Sequence, residues 1–124
     1  MTTIARMAPM LIVMGAIFLL SHQPGDSFDL PSFPGADKLA HMIIYAVLAA
    51  SIIAAFSPRL RAEKYWLVFW TALLVSALYG LSDEFHQAFI PNRDSSGFDL
   101  LADIIGAAAV CLFWLYHQLR GHHT

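Results

Sequence analysis

Four long apolar runs alternate with short polar breaks along the chain. The first covers Met7 to Leu20, extended upstream by Ile4 and Ala5, and sits at the short end of the roughly 20 residues that cross a bilayer. The second runs from Asp37 to Phe56 and stops at Ser57-Pro58. The third opens on Tyr65-Trp66, an aromatic anchor suited to a membrane interface, and continues to about Ile90, with Pro91 as its stop. The fourth covers Gly97 to Tyr116, with Trp114 and Tyr116 as anchors. The pattern predicts an all-α integral membrane bundle of four transmembrane helices, at about 4–20, 37–57, 65–90 and 97–117, in a single domain over residues 1–124.

The breaks have their own character. Pro24, Gly25, Pro31, Pro34 and Gly35 punctuate a loop in which Phe28, Leu30 and Phe33 interleave with Asp26 and Asp29, a composition suited to the headgroup layer. Arg59, Arg61 and Lys64 make a short basic link between the second and third runs. Arg6 and a short apolar core also fit a signal peptide. Leu19-Leu20-Ser21-His22-Gln23 offers no small-x-small cleavage site, so a retained helix is expected.

Composition agrees with the membrane reading. Hydrophobic residues make up 58% of the chain, charged residues 13%, and mean hydropathy is +0.60. A soluble domain has about 25% charged residues. A net charge of −2 without a basic block argues against nucleic acid as a partner. The one cysteine, Cys111, excludes an internal disulfide framework and reads as a packing residue. Arg6, Arg59, Arg61, Lys64 and Arg120 fall on one side of the predicted spans, and Lys38 and Arg93 on the other. Positive charge marks the cytoplasmic side, so both termini are expected there, with His117, His122 and His123 in a solvated tail.

That orientation gathers chemistry at the outward end. Asp37, His41 and Tyr45 recur four apart on the second helix, Tyr79, Asp83 and Gln87 on the third, and Asp99 and Asp103 on the fourth. Residues four apart share a helix face, so each helix offers one polar stripe and the stripes can converge. Some members have structural readings. Asp37 suits a helix start, Ser96 with Asp99 fits a capping box, and Arg93 fits a headgroup anchor. Asp83, Glu84, Asp103 and His41 resist such readings, and for Asp83 and Glu84 the helix dipole disfavours acid in a C-terminal half. A carboxylate within a span costs about 2.5–3.5 kcal/mol. Ala46, Ala49, Ala50 and Ala54, with Gly106 to Ala109, give the helices room to approach.

Three segments carry a family resemblance. They are Ser21-His22-Gln23-Pro24-Gly25 followed by Ala36-Asp37-Lys38-Leu39-Ala40-His41-Met42-Ile43-Ile44-Tyr45; Gly80-Leu81-Ser82-Asp83-Glu84-Phe85-His86-Gln87-Ala88-Phe89-Ile90-Pro91-Asn92-Arg93; and Ser95-Ser96-Gly97-Phe98-Asp99-Leu100-Leu101-Ala102-Asp103-Ile104-Ile105-Gly106. Together they resemble the motifs of the VanZ-like family of small bacterial membrane proteins, in order. The resemblance implies polar family positions at Asp37, Lys38, His41, Tyr45, Asp83, Glu84, Gln87, Arg93, Asp99 and Gly106. Asp103 stands where the family usually has Asn, which adds a charge. The family takes its name from a protein linked to teicoplanin resistance. The resemblance implies a multi-pass protein of the bacterial cytoplasmic membrane whose site meets a cell-envelope lipid, a lipid-linked precursor or a glycopeptide antibiotic.

Three functions remain open at this level, beside a purely structural membrane protein whose polar groups only hold the helices together. In an enzyme, Asp83 or Glu84 would act as general base and His41 as acid/base partner, with Asp37, Lys38, Tyr45, Tyr79, Gln87, Arg93, Asp99 and Asp103 holding the substrate. Lys38 and Arg93 would clamp a phosphate or carboxylate. A variant places a divalent metal on Asp83, Glu84 and His41. No nucleophile motif or metal spacing supports the enzyme, and the sequence names no cofactor. In a binding or modulating protein, the same residues hold a headgroup without chemistry. A proton- or ion-coupled carrier is the third reading, and it needs a homo-oligomer, since the charges lie at one end of the spans.

Overall fold

The computed structural model describes residues 1–24, 33–93 and 95–122. Its elements are α1 (Thr3–His22), α2 (Ala36–Ala55), α3 (Pro58–Glu63), α4 (Tyr65–Gln87) and α5 (Gly97–Gly121). Of these, α1, α2, α4 and α5 are long and apolar enough to cross a membrane. The interfacial reading of Phe28 and Leu30, and the acids Asp26 and Asp29 beside them, lie outside the described residues.

Local chemistry sets the helix ends. The Thr2 hydroxyl caps α1 by accepting from the Ala5 N–H at 3.3 Å. Ser57-Pro58 does more than stop α2. The Ser57 hydroxyl accepts from the Leu60 N–H at 3.2 Å and Pro58 occupies the first turn, so the basic link is the short helix α3. The third span ends at Gln87 rather than Ile90, and the chain turns through residues 88–92. A proline at 91 disfavours helical backbone at Ile90. Asn92 then adopts a left-handed φ of 58°, which asparagine tolerates better than most residues. The fourth span continues through Gly121, so His117 and Arg120 are helical.

The four spans alternate in direction. Tyr79 reaches Met14 and Gln87 reaches Ser21, so α1 and α4 run parallel. Lys38 meets Asp99 and His41 meets Asp103, so α2 and α5 run parallel in the opposite sense. Tyr45, Leu48, Ala49, Val68, Ala72, Ala107 and Cys111 form the buried centre. Ile43, Val47, Trp70, Leu74, Leu78, Phe85 and Phe113 lie on the outside, as a hydrocarbon solvent requires. Among the small residues, Ala49 and Ala107 are fully buried, whereas Ala50, Ala54 and Ala109 face outward. Closest packing falls at Gly106, where a Cβ would collide with the Met42 backbone, so α5 approaches α2 through a position open only to glycine. That contact carries the polar stripes of α2 and α5 into register.

Candidate functional site at the polar end of the bundle

The C-terminal ends of α1 and α4 and the N-terminal ends of α2 and α5 meet at one end of the bundle. They enclose a cavity of about 420 Å³. Its polar wall comprises Asp37, His41 and Tyr45 from α2, Asp83 and Gln87 from α4, Asn92 and Arg93 from the turn, and Asp99 from α5. Its apolar wall comprises Ile17 and Leu20 from α1 with Ala40 and Ile44 from α2.

The five acidic groups are held by four sets of partners. Lys38 Nζ donates to Asp37 at 2.7 Å and to Asp99 at 2.5 Å, so the expected clamp lysine is engaged by two carboxylates of the chain. His41 Nδ1 lies 2.7 Å from Asp103 Oδ1, with Asp103 fully buried. The Tyr45 hydroxyl and the Gln87 amide both donate to Asp83 Oδ2, each at 3.3 Å. Glu84 Oε2 accepts from the Ser95 hydroxyl at 3.1 Å and from the Ser96 N–H at 3.0 Å. This places Glu84 at the positive end of α5, which answers the dipole objection to acid at the end of α4. Ser96 caps α5 as expected, its hydroxyl accepting from the Asp99 N–H at 3.4 Å. The reciprocal half of the capping box is made by Glu84, while the Asp99 carboxylate turns to Lys38.

Tyr79 leaves the predicted stripe. Its hydroxyl donates to the Met14 carbonyl at 2.6 Å and fastens α1 to α4 outside the cavity. Arg93 donates to the Leu20 and Gln23 carbonyls at 3.3 and 3.4 Å and closes the end of α1 over the site.

Sequence reasoning missed several supporting groups. Ser21 accepts from Gln87 at 3.2 Å, Ser95 holds Glu84, and Gly80 makes room for Asp103. His22 and His86 lie 3.3 Å apart in a stack with Phe18. Ser21, His22, Gly80, His86 and Ser95 all fall inside the quoted motifs, but hydropathy gives none of them a partner.

Potential metal ligands fall into two groups. His41, Glu84 and Asp99 offer ligand atoms within 4.8 Å of one another, and so do Asp83, Glu84 and Asp103. The predicted set of Asp83, Glu84 and His41 is thus divided between two groups that share Glu84.

The VanZ/LLP1 family model matches residues 5–118, nearly the whole chain. This chain belongs to the VanZ/LLP1 family. As a VanZ/LLP1 protein it is a multi-pass membrane protein, with four helices long and apolar enough to span. It is similar to an uncharacterized protein of the fission yeast Schizosaccharomyces pombe, with 30% identity over 112 residues that cover 89% of this chain and 65% of the relative. The chain therefore spans just under two thirds of the length of that relative, which is from a eukaryote. No solved structure matches the chain.

Proposed function

We propose that this VanZ/LLP1 protein binds the headgroup of a membrane amphiphile, a lipid or lipid-linked envelope precursor, in the cavity at the polar end of the bundle. One observation carries the reading: the cavity has a charged wall on α2, α4 and α5 and an apolar wall on α1 and α2. An amphiphile matches both walls at once. Leu20 is 40% exposed on the outer surface, so acyl carbons beside it continue into hydrocarbon. Pockets for small ligands measure about 300–1,000 Å³. A headgroup fits a cavity of about 420 Å³. Teicoplanin-type resistance, where it occurs, then acts through the lipid held here. With Arg6, Arg59, Arg61, Lys64 and Arg120 at the opposite end, the cavity faces the extracytoplasmic side.

The test fills the cavity without touching its charges. Protein purified from membranes is stripped of bulk lipid and its retained lipids are identified by mass spectrometry, for wild type and Ala40→Phe. Wild type retains a defined headgroup class and Ala40→Phe loses it at an unchanged melting temperature. The same lipid profile in both proteins would sink the reading.

Chemistry on the bound headgroup is a second reading, favoured by the 2.7 Å His41–Asp103 contact. A carboxylate that orients one imidazole nitrogen leaves the other for proton transfer. Incubation with labelled lipid decides it: a headgroup mass change that wild type makes and His41→Asn does not supports catalysis. A carrier gains no support, since between the charged ends the spans offer Ser51, Thr71 and Ser76.

A further inference from the structure

Among the described residues, two buried carboxylate oxygens at this end of the bundle find no hydrogen-bond donor: Glu84 Oε1 and Asp103 Oδ2. Glu84 is 6% exposed and Asp103 0%. An acceptor left unmet in a buried place needs an occupant. Asp103 Oδ2 leans over α4 at Gly80, where an added Cβ would stand 3.0 Å from it. Gly80 lies one helical turn before Asp83 and Glu84, so the bare oxygen of Asp103 faces the turn that carries both.

We propose that Asp83, Glu84 and Asp103 bind a hard divalent cation of the calcium, magnesium and manganese class. The three carboxylates offer ligand atoms within 4.8 Å of one another. Oxygen ligands bound at about 2.3–2.6 Å leave about 4.6–5.2 Å between atoms on opposite sides of a calcium ion, and less for smaller ions. Three carboxylates and no sulfur select hard cations over zinc or copper.

The second oxygen of each group supports the assignment. Ser95 and Ser96 hold Glu84 by Oε2, His41 holds Asp103 by Oδ1, and Tyr45 and Gln87 hold Asp83 by Oδ2. Outer partners of this kind orient metal-binding carboxylates. Charge points the same way. Among the described residues at this end, five carboxylates (Asp37, Asp83, Glu84, Asp99 and Asp103) face two fixed cations, Lys38 and Arg93, beside the imidazoles of His22, His41 and His86. A divalent cation offsets that surplus. Asp83 lines the cavity, so the cation's remaining positions open toward the ligand. The assignment rests on the headgroup reading and deepens it, since an anionic headgroup would meet the cation instead of bare carboxylates.

Shared protons are the rival occupant, and metal binding separates the two. Detergent-purified protein is stripped with chelator and titrated with Mn²⁺, with free Mn²⁺ followed by electron paramagnetic resonance and no lipid added. Wild type takes up Mn²⁺ saturably, and excess Ca²⁺ or Mg²⁺ displaces it. Glu84→Gln and Asp103→Asn each weaken binding by at least about tenfold. Glu63→Gln, at the opposite end, binds as wild type does. Should Glu84→Gln fail to fold, Asp103→Asn and the wild-type titration decide the matter. A folded wild type without saturable Mn²⁺ uptake overturns the proposal, as does undiminished uptake in the folded variants. Failure of the headgroup reading looks different: lipid insensitive to Ala40→Phe, with Mn²⁺ binding intact.

Discussion

Glu84 at the end of α4 and Ser96 at the start of α5 are joined by a 3.0 Å hydrogen bond from the Ser96 N–H to Glu84 Oε2. The anion that neutralises the start of α5 thus comes from a neighbouring helix, twelve residues earlier in the chain. One carboxylate oxygen serves the fold while the other stays unmet, which makes the two roles separable. Glu84→Ala leaves a part-buried amide without its acceptor and should lose about 1–3 kcal/mol. Glu84→Gln keeps a carbonyl oxygen for Ser96 and should lose less. Thermal melting in one detergent ranks the two, and equal losses would mean that the bond to Ser96 contributes little.

Lys38 bridges Asp37 and Asp99. Asp99 is 4% exposed, so Lys38→Ala leaves a buried charge with its ammonium partner gone. Breaking a fully buried pair costs about 3–5 kcal/mol. The Lys38 side chain is 34% exposed, so screening by water lowers the expected loss to about 2 kcal/mol. Lys38→Met combined with Asp99→Leu should recover much of it, because an apolar pair can replace a buried ion pair at little loss. A double-mutant cycle on melting checks this. Additive losses would show that the two residues are not coupled.

The four spans and the convergence of their polar ends were legible in the sequence, because hydropathy and a four-residue spacing are local properties. Asp37, His41, Tyr45, Asp83, Gln87 and Asp99 do line one cavity. Periodicity gives the face of a side chain but not its partner across the bundle. Tyr79 shares a stripe with Asp83, yet its long side chain reaches the Met14 carbonyl on α1. Asp99 has capping spacing, yet Lys38 draws its carboxylate away. The helix α3 was hidden for a different reason: Ser-Pro both ends one helix and begins another, and a pattern read forward records only the stop.

Gly106 sets the depth at which α2 and α5 cross. A methyl group there meets the Met42 carbonyl and backbone, which cannot move aside as a flexible side chain can. Gly106→Ala should cost about 1–3 kcal/mol or more, since relief requires helix displacement. The displacement also separates Lys38 and His41 from Asp99 and Asp103. Melting temperature and Mn²⁺ uptake should therefore fall together in Gly106→Ala, whereas Gly15→Ala, with open space around its Cβ position, should leave both unchanged. A Gly106→Ala protein that melts like wild type would show that the helices do not rely on this contact.

The proposed sidedness of the cavity rests on the basic residues and is read directly by cysteine labelling. Ala88, just after α4, and Glu63, at the end of α3 just before it, are exposed at opposite ends of the bundle and are suitable places for single cysteines. Ala88 is preferable to Asn92, whose φ of 58° a cysteine would adopt under strain. The native Cys111 is fully buried and should stay unreactive, and a Cys111→Ala background controls for it. Glu63→Cys removes only an exposed pair with Arg59, which contributes little. In intact cells an impermeant maleimide should label Ala88→Cys, and Glu63→Cys only after permeabilisation. The reverse pattern would place the cavity on the cytoplasmic side. The amphiphile would then have to be one exposed to the cytoplasm, and an extracytoplasmic envelope role would be excluded while the geometry of the site stood unchanged.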